Sequence, residues 1–187
     1  AAKKAYGWEN EDFFVPKEVV ERFRETMVES GEKAEAKWKE TIQVYREEYP
    51  ELAAQFETAL SGKLPVDWDN ELPTYEVTDK AAASRKTSSQ VLNAIAKKVP
   101  YLWGGSADLS SSNNTMIDDV KDFQPRQYEG RNIWYGVREF AMTAAANGIA
   151  LHGGSKTYVG TFFVFTDYLR AAVRLAAISQ LPVTYVF

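Results

Sequence analysis

Residues 132–149 read Asn132-Ile133-Trp134-Tyr135-Gly136-Val137-Arg138-Glu139-Phe140-Ala141-Met142-Thr143-Ala144-Ala145-Ala146-Asn147-Gly148-Ile149. The first four residues are a short apolar run of strand type. Gly136 then opens a helix through Val137, Met142 and Ala145 to about Ile149. The same grammar repeats on both sides. Upstream, residues 84–98 predict a helix with Val91 and Ile95 one turn apart, and Tyr101-Leu102-Trp103 predicts a strand that ends in a tight turn at Gly104-Gly105. Residues 106–131 are polar and loop-like. Downstream, His152-Gly153-Gly154 reads as a turn, Thr157 to Gly160 as a strand, and Phe162 to Ser179 as an apolar helix; Pro182 opens a last strand, Val183 to Phe187. Strands alternating with helices predict an α/β fold, a parallel sheet flanked by helices. Such sheets bind ligands at the carboxyl ends of their strands. The apolar run at Val183–Phe187 calls for a following loop and covering helix, so the chain is expected to be a fragment of a larger protein, with this domain incomplete.

The preceding residues follow a different pattern. Pro16 sits where a helix can begin. Val19, Val20, Phe23 and Met27 fall on one helical face, Gly31 interrupts, and Trp38, Ile42 and Tyr45 recur at helical spacing. Pro50 marks a break, and Leu52, Phe56 and Leu60 follow at i, i+4, i+8 before Gly62. These stripes are expected to bury one face and solvate the other. Residues 63–80 hold two prolines and no clean period, and read as an extended linker. The expected organisation is therefore a helical segment over 1–62, a linker over 63–80, and the α/β unit over 81–187.

Composition narrows the function classes. The 187 residues contain no cysteine and one histidine, His152. A disulfide framework, a thiolate zinc site, a Cys nucleophile and a His-rich metal site within the chain are excluded, and a cytoplasmic location is expected. No charge-free apolar run reaches the length of a membrane span, and Ala1-Ala2-Lys3-Lys4 opens no signal peptide. Charge is uneven: residues 1–80 carry net −8 and residues 81–187 net +4. The acidic segment argues against a nucleic-acid surface, and the mildly basic remainder suits a phosphorylated ligand.

Acids are scarce in the second segment. Across 137–150 the only charges are Arg138 and Glu139. With Gly136 as N-cap, Glu139 would sit at N3 and complement the helix dipole, or pair with Arg138. The functional alternative is a carboxyl desolvated by apolar neighbours and able to hold or give a proton. Phe162, Phe165 and Leu169 share a predicted helical face, with Tyr168 three residues after Phe165. They suit either core packing or a stacking surface for a flat heteroaromatic ring. Gly104-Gly105-Ser106-Ala107-Asp108 is neither a P-loop nor a dinucleotide fingerprint. Arg85 and the Ser110-Ser111-Ser112-Asn113-Asn114 loop could supply a guanidinium fork and a hydroxyl to a phosphate, or simply be solvated surface. His152 has nothing to orient it as a base and reads as structural.

Taken together in order, Gly104-Gly105-Ser106-Ala107-Asp108-Leu109 with Ser112-Asn113, Tyr135-Gly136-Val137-Arg138-Glu139-Phe140-Ala141-Met142, Asn147-Gly148-Ile149 and Leu151-His152-Gly153-Gly154 resemble the transketolase family. Phe162-x-x-Phe165-x-x-Tyr168 matches as well. The resemblance covers nearly the whole chain and is strongest over 81–187. It implies a thiamine diphosphate enzyme that moves a two-carbon ketol unit from a ketose phosphate to an aldose phosphate, working as a homodimer with active sites between subunits. Residues 1–62 would end the diphosphate-binding domain and 81–187 would begin the pyrimidine-binding domain. The divalent metal, Mg or Ca, would be bound by a Gly-Asp-Gly stretch absent here, and the fragment alone would be inactive.

Residue by residue, Glu139 matches the family's glutamate on the pyrimidine ring nitrogen. There its proton favours the cofactor tautomer that activates the thiazolium carbon. Phe165 matches the stacking aromatic, with Phe162 and Tyr168 lining the same pocket; Phe163 does not match and reads as core. Asp108 matches a residue near the cofactor at the subunit interface, and Arg85 with Ser112 the pair that binds the sugar phosphate. Ser111 and Asn114 depart from the family's usual proline and leucine. Related thiamine diphosphate enzymes, namely dihydroxyacetone synthase, phosphoketolase and deoxyxylulose-phosphate synthase, share the glutamate and aromatic logic. A non-enzymatic interaction module exposing an apolar sheet edge is a further reading.

Overall fold

The computed structural model describes all residues, Ala1–Phe187. The chain forms two compact units, Ala1–Ala54 and Gln55–Phe187. In the first, α1 is the single turn Ala2–Ala5 and α2 runs from Lys17 to Phe23, starting directly after Pro16. A π-helical turn, Arg24–Val28, joins α2 to α3, Glu29–Glu48. Gly31 thus lies inside a helix rather than interrupting one. Val19, Val20, Phe23 and Met27 are 39%, 46%, 58% and 63% exposed. The apolar stripe expected to be buried therefore faces solvent, because no second layer within this unit packs on it. Helix α4, Pro50–Leu60, follows.

In the second unit, α5 (Ser84–Lys98) leads into β1 (Leu102–Ser106). The single turn α6 (Ser110–Asn113) precedes β2 (Asn132–Trp134), and α7 (Glu139–His152) leads to β3 (Lys156–Gly160). A 3-10 turn, Phe163–Phe165, enters α8 (Thr166–Ile178), and β4 (Val183–Val186) completes the sheet. The strand order is β2-β1-β3-β4, all parallel.

Alternation along β3 organises the core, since successive side chains point to opposite faces. Tyr158 packs with Ala96, Val99, Leu102 and Ile117 on the α5 side. Its neighbour Val159 packs with Ala107, Met142, Ala146 and Leu169 on the α7–α8 side. The long connection from β1 to β2 is tied down by buried Asn132: its Oδ1 accepts the Ile117 N–H and its Nδ2 donates to the Ile117 carbonyl, both at 2.9 Å. Tyr158 Oη donates to the Thr115 carbonyl at 2.9 Å.

Strand β1 does not end in a turn at Gly104-Gly105; it continues through both glycines to Ser106. A Cβ at Gly105 would overlap the Ile133 carbonyl and one at Gly104 the Tyr158 carbonyl. These glycines serve close backbone approach inside the sheet. Likewise, the apolar helix expected from Phe162 starts later. Phe162 is extended (φ −78°, ψ 145°), so it shares no helical face with Phe165 and Leu169.

Candidate functional site

The chain leaves β1 toward β2 on one side, and β3 returns on the other side of β1. This reversal opens a crevice at the strands' carboxyl ends, the usual ligand position in such sheets. A cavity of about 540 Å³ lies there. Ala107, Asp108 and Leu109 reach it from the end of β1, Val137 and Glu139 from the β2–α7 connection, and Phe165 and Tyr168 from the entry to α8.

Glu139 is the first residue of α7, with Arg138 as N-cap. It therefore occupies N1, not the N3 position expected with Gly136 as cap. Gly136 has φ of 69°, a left-handed turn that separates β2 from the helix. Glu139 is 8% exposed. Its carboxyl makes no hydrogen bond or ion pair within the chain, and the Arg138 guanidinium turns away to donate to the Tyr135 carbonyl at 3.0 Å. The pairing with Arg138 is thus ruled out. A helix N-terminus favours a carboxylate, and the carboxyl lines the cavity, where a ligand can reach it. The rings of Phe165 and Tyr168 are 6.3 Å apart between centroids and inclined by 36°. A hydrogen-bonding carboxyl beside aromatic faces fits a nitrogen heteroaromatic ring. Burial pushes the nearby Tyr135 hydroxyl up to about 12, keeping it neutral.

The other expected residues lie elsewhere. Phe162 does not line the Glu139 cavity; it lines a second one of about 360 Å³ with Ala83, Ser84, Arg85, Ser88, Asn113 and the β4 end. Arg85 is thus brought to Phe162 and Asn113, whereas Ser112 is exposed and lines neither cavity. Phe163, expected in the core, is 74% exposed and meets Phe187 edge-on. His152 is exposed at the end of α7, its Nδ1 3.2 Å from the Gly153 carbonyl oxygen. Sequence reasoning missed Leu109 and Val137 at the first cavity and Asn113 at the second. Each adjoins a residue that was singled out, but apolar wall residues and a buried amide carry no spacing signal.

Fold and cavity define an α/β domain of the class that binds ligands in a crevice at the carboxyl ends of a parallel sheet. Residues 80–187 match the family described as transketolase, pyrimidine binding domain, and residues 1–65 match transketolase, thiamine diphosphate binding domain. The chain belongs to the transketolase family. Transketolase from Geobacillus stearothermophilus is 58% identical over 185 residues, covering 98% of this chain and 28% of that protein. Transketolase from Bacillus subtilis is 56% identical, covering 99% and 28%. Among solved structures, Pichia stipitis transketolase in complex with sedoheptulose-7-phosphate superposes with a TM-score of 0.92 at 45% identity, covering 98% of this chain and 28% of that one. Leishmania mexicana transketolase gives 0.90 at 37% identity, covering 98% and 27%. The chain thus spans a little over a quarter of the length of these relatives.

Proposed function

We propose that this chain acts as part of a transketolase, in which a two-carbon ketol unit passes from a ketose phosphate to an aldose phosphate. The observation that carries the reading is Glu139: a largely buried residue whose carboxyl has no partner in the chain and lines one cavity with two aromatic rings at the switch point of the sheet. When bound, thiamine diphosphate supplies the carbon nucleophile that takes up and releases the ketol unit. Glu139 would hydrogen-bond a ring nitrogen of the aminopyrimidine of the bound cofactor. Phe165 stacks on that ring and Tyr168 borders it. Val137 and Leu109 line the same cavity. Asp108 borders the same ligand.

Arg85 gives its guanidinium to the substrate phosphate, with Ser112 as hydroxyl donor. Ser112 precedes Asn113, which lines the Arg85 cavity. Phe162 lines the same cavity as Arg85. Residues 1–62 belong to the diphosphate-binding domain, 63–80 to a linker and 81–187 to the pyrimidine-binding domain. The divalent cation, Mg or Ca, is held by residues outside this chain, the working unit is a homodimer, and the setting is cytoplasmic pentose phosphate metabolism.

The test is ketol transfer from xylulose 5-phosphate to ribose 5-phosphate by the full-length protein. Glu139→Gln keeps the shape of the side chain and removes the proton exchange. It is expected to lower kcat by about 10²–10⁴-fold, the usual share of a positioned acid or base. Near-normal transfer by this variant would refute the role of Glu139.

A further inference from the structure

The turn after β1 holds Asp108 with φ of 60°, in the left-handed region that only glycine enters freely. Two hydrogen bonds keep it there, and both end on Ser106. The Asp108 N–H donates to the Ser106 carbonyl at 3.0 Å, and the Leu109 N–H donates to Ser106 Oγ at 2.9 Å. Ser106 is itself 1% exposed and fixed in the sheet, paired with Trp134 on one side and Gly160 on the other. The Ala107 N–H donates to the Gly160 carbonyl at 3.1 Å, so the exit from the strand is held as well. The three residues that follow Ser106 form one wall of the Glu139 cavity, while Ser106 does not reach it.

We propose that Ser106 is a positioning residue for the cofactor site: its hydroxyl locks the turn and thereby sets Asp108 at the cavity wall. This rests on the assignment of that cavity to thiamine diphosphate. A carboxylate held at the wall faces a ligand whose thiazolium ring is cationic and whose aminopyrimidine carries N–H donors. Its contribution depends on placement, since charge-assisted hydrogen bonds are directional. Without the Ser106 hydroxyl, the Leu109 N–H loses its acceptor. The left-handed backbone at Asp108 then relaxes toward the extended region and the carboxylate leaves its place.

The experiment is a double-mutant cycle in the full-length protein, read as the Kd of thiamine diphosphate in the presence of MgCl2. The melting temperature of each cofactor-free variant reports on folding. Asp108→Asn removes the charge but keeps a residue that tolerates the left-handed region. Ser106→Ala alone is expected to raise Kd about three- to tenfold, the weight of one hydrogen bond. In the Asp108→Asn background, adding Ser106→Ala is expected to change Kd little, because the group it positions is already gone. Ser106→Cys offers a weaker acceptor of similar size, is expected to give an intermediate Kd, and keeps the test usable where the alanine variant fails to fold. An unchanged Kd in Ser106→Ala or Ser106→Cys overturns the proposal, and so do penalties that add fully in the double variant. If the unaltered protein does not bind thiamine diphosphate, the cofactor assignment itself falls and the inference with it. Binding that is indifferent to Ser106 removes only the inference.

Discussion

Phe165 and Tyr135 are placed differently: one aromatic side chain lines the candidate cavity and the other packs against the core. Phe165 lines the Glu139 cavity with its ring inclined to that of Tyr168. Phe165→Ala is expected to weaken thiamine diphosphate binding by about 1–3 kcal/mol, the lost stacking plus the void left behind. Isothermal titration of the full-length variant measures this, and unchanged affinity rejects stacking. Tyr135 instead packs against the Met142–Leu169 cluster, and its hydroxyl is buried without a partner. Burial pushes this hydroxyl up to about 12, against about 10 in the unfolded chain. A group raised in the folded state binds its proton more tightly there. Its stabilising share is therefore full below about pH 10 and is lost as pH rises toward about 12. Tyr158 is shifted the same way, mainly by burial. Tyr135→Phe is expected to be neutral or slightly stabilising at pH 7, because it removes an unpaired buried hydroxyl. It is also expected to flatten the fall of Tm above about pH 10. Melting curves from pH 7 to 11 check both; a large loss of Tm at pH 7 would mean that the hydroxyl has a partner in the assembled protein.

Among the elements, the strands and helices of 84–187 were legible because their hydrophobic periods change cleanly from one to the next. Helix α5 matches its expected range, Ser84–Lys98, residue for residue, and β2, β3 and β4 fall within a residue or so of their expected ends. What was not legible depends on distant neighbours. Gly104 and Gly105 resemble a turn locally, and only the carbonyls of Tyr158 and Ile133 explain why they belong inside a strand. Glu139 was legible as a lone acid in an apolar run, but its isolation from Arg138 was not, since that depends on which way a guanidinium turns. The helical face expected to join Phe162 to Phe165 is absent because a single extended residue before a helix breaks the face that spacing alone predicts. Arg131, not singled out at all, joins two elements. Its Nη1 donates to the carbonyls of Ala96, Val99 and Leu102 at 2.9, 3.3 and 3.5 Å, capping the end of α5 and holding the start of β1. Arg131→Met keeps the apolar stem and leaves these carbonyls unsatisfied. It is expected to destabilise the protein by about 1.5–3 kcal/mol, as for hydrogen bonds to a charged group, with Arg131→Lys recovering part. Urea unfolding of the three proteins measures the difference, and equal midpoints would show that water replaces the guanidinium.

At the scale of the whole chain, the balance between buried and exposed apolar groups decides how it behaves alone. Val137, Phe140 and Leu151 along α7 and its entry are 74%, 52% and 68% exposed, and Val164 and Tyr168 at the entry to α8 are 72% and 67% exposed. Strand β4 pairs only with β3, which leaves its other edge open to a further strand. Such exposure on one side of a domain marks surfaces that other chain segments or subunits cover. Glu139, Phe165 and Tyr168 line one cavity of the domain, and Val137 and Tyr168 on its wall are among these exposed residues. The 187-residue chain by itself is therefore expected to associate as its concentration rises and to carry out no ketol transfer, whereas the full-length protein is expected to transfer ketol units and to elute as a defined species. Sedimentation velocity over a wide concentration range, with the transfer assay run on the same samples, separates the two cases. A stable monomer at high concentration would mean that the exposed residues of α7 and α8 are tolerated surface rather than interface, and activity in the chain alone would mean that the cofactor site is complete without further segments.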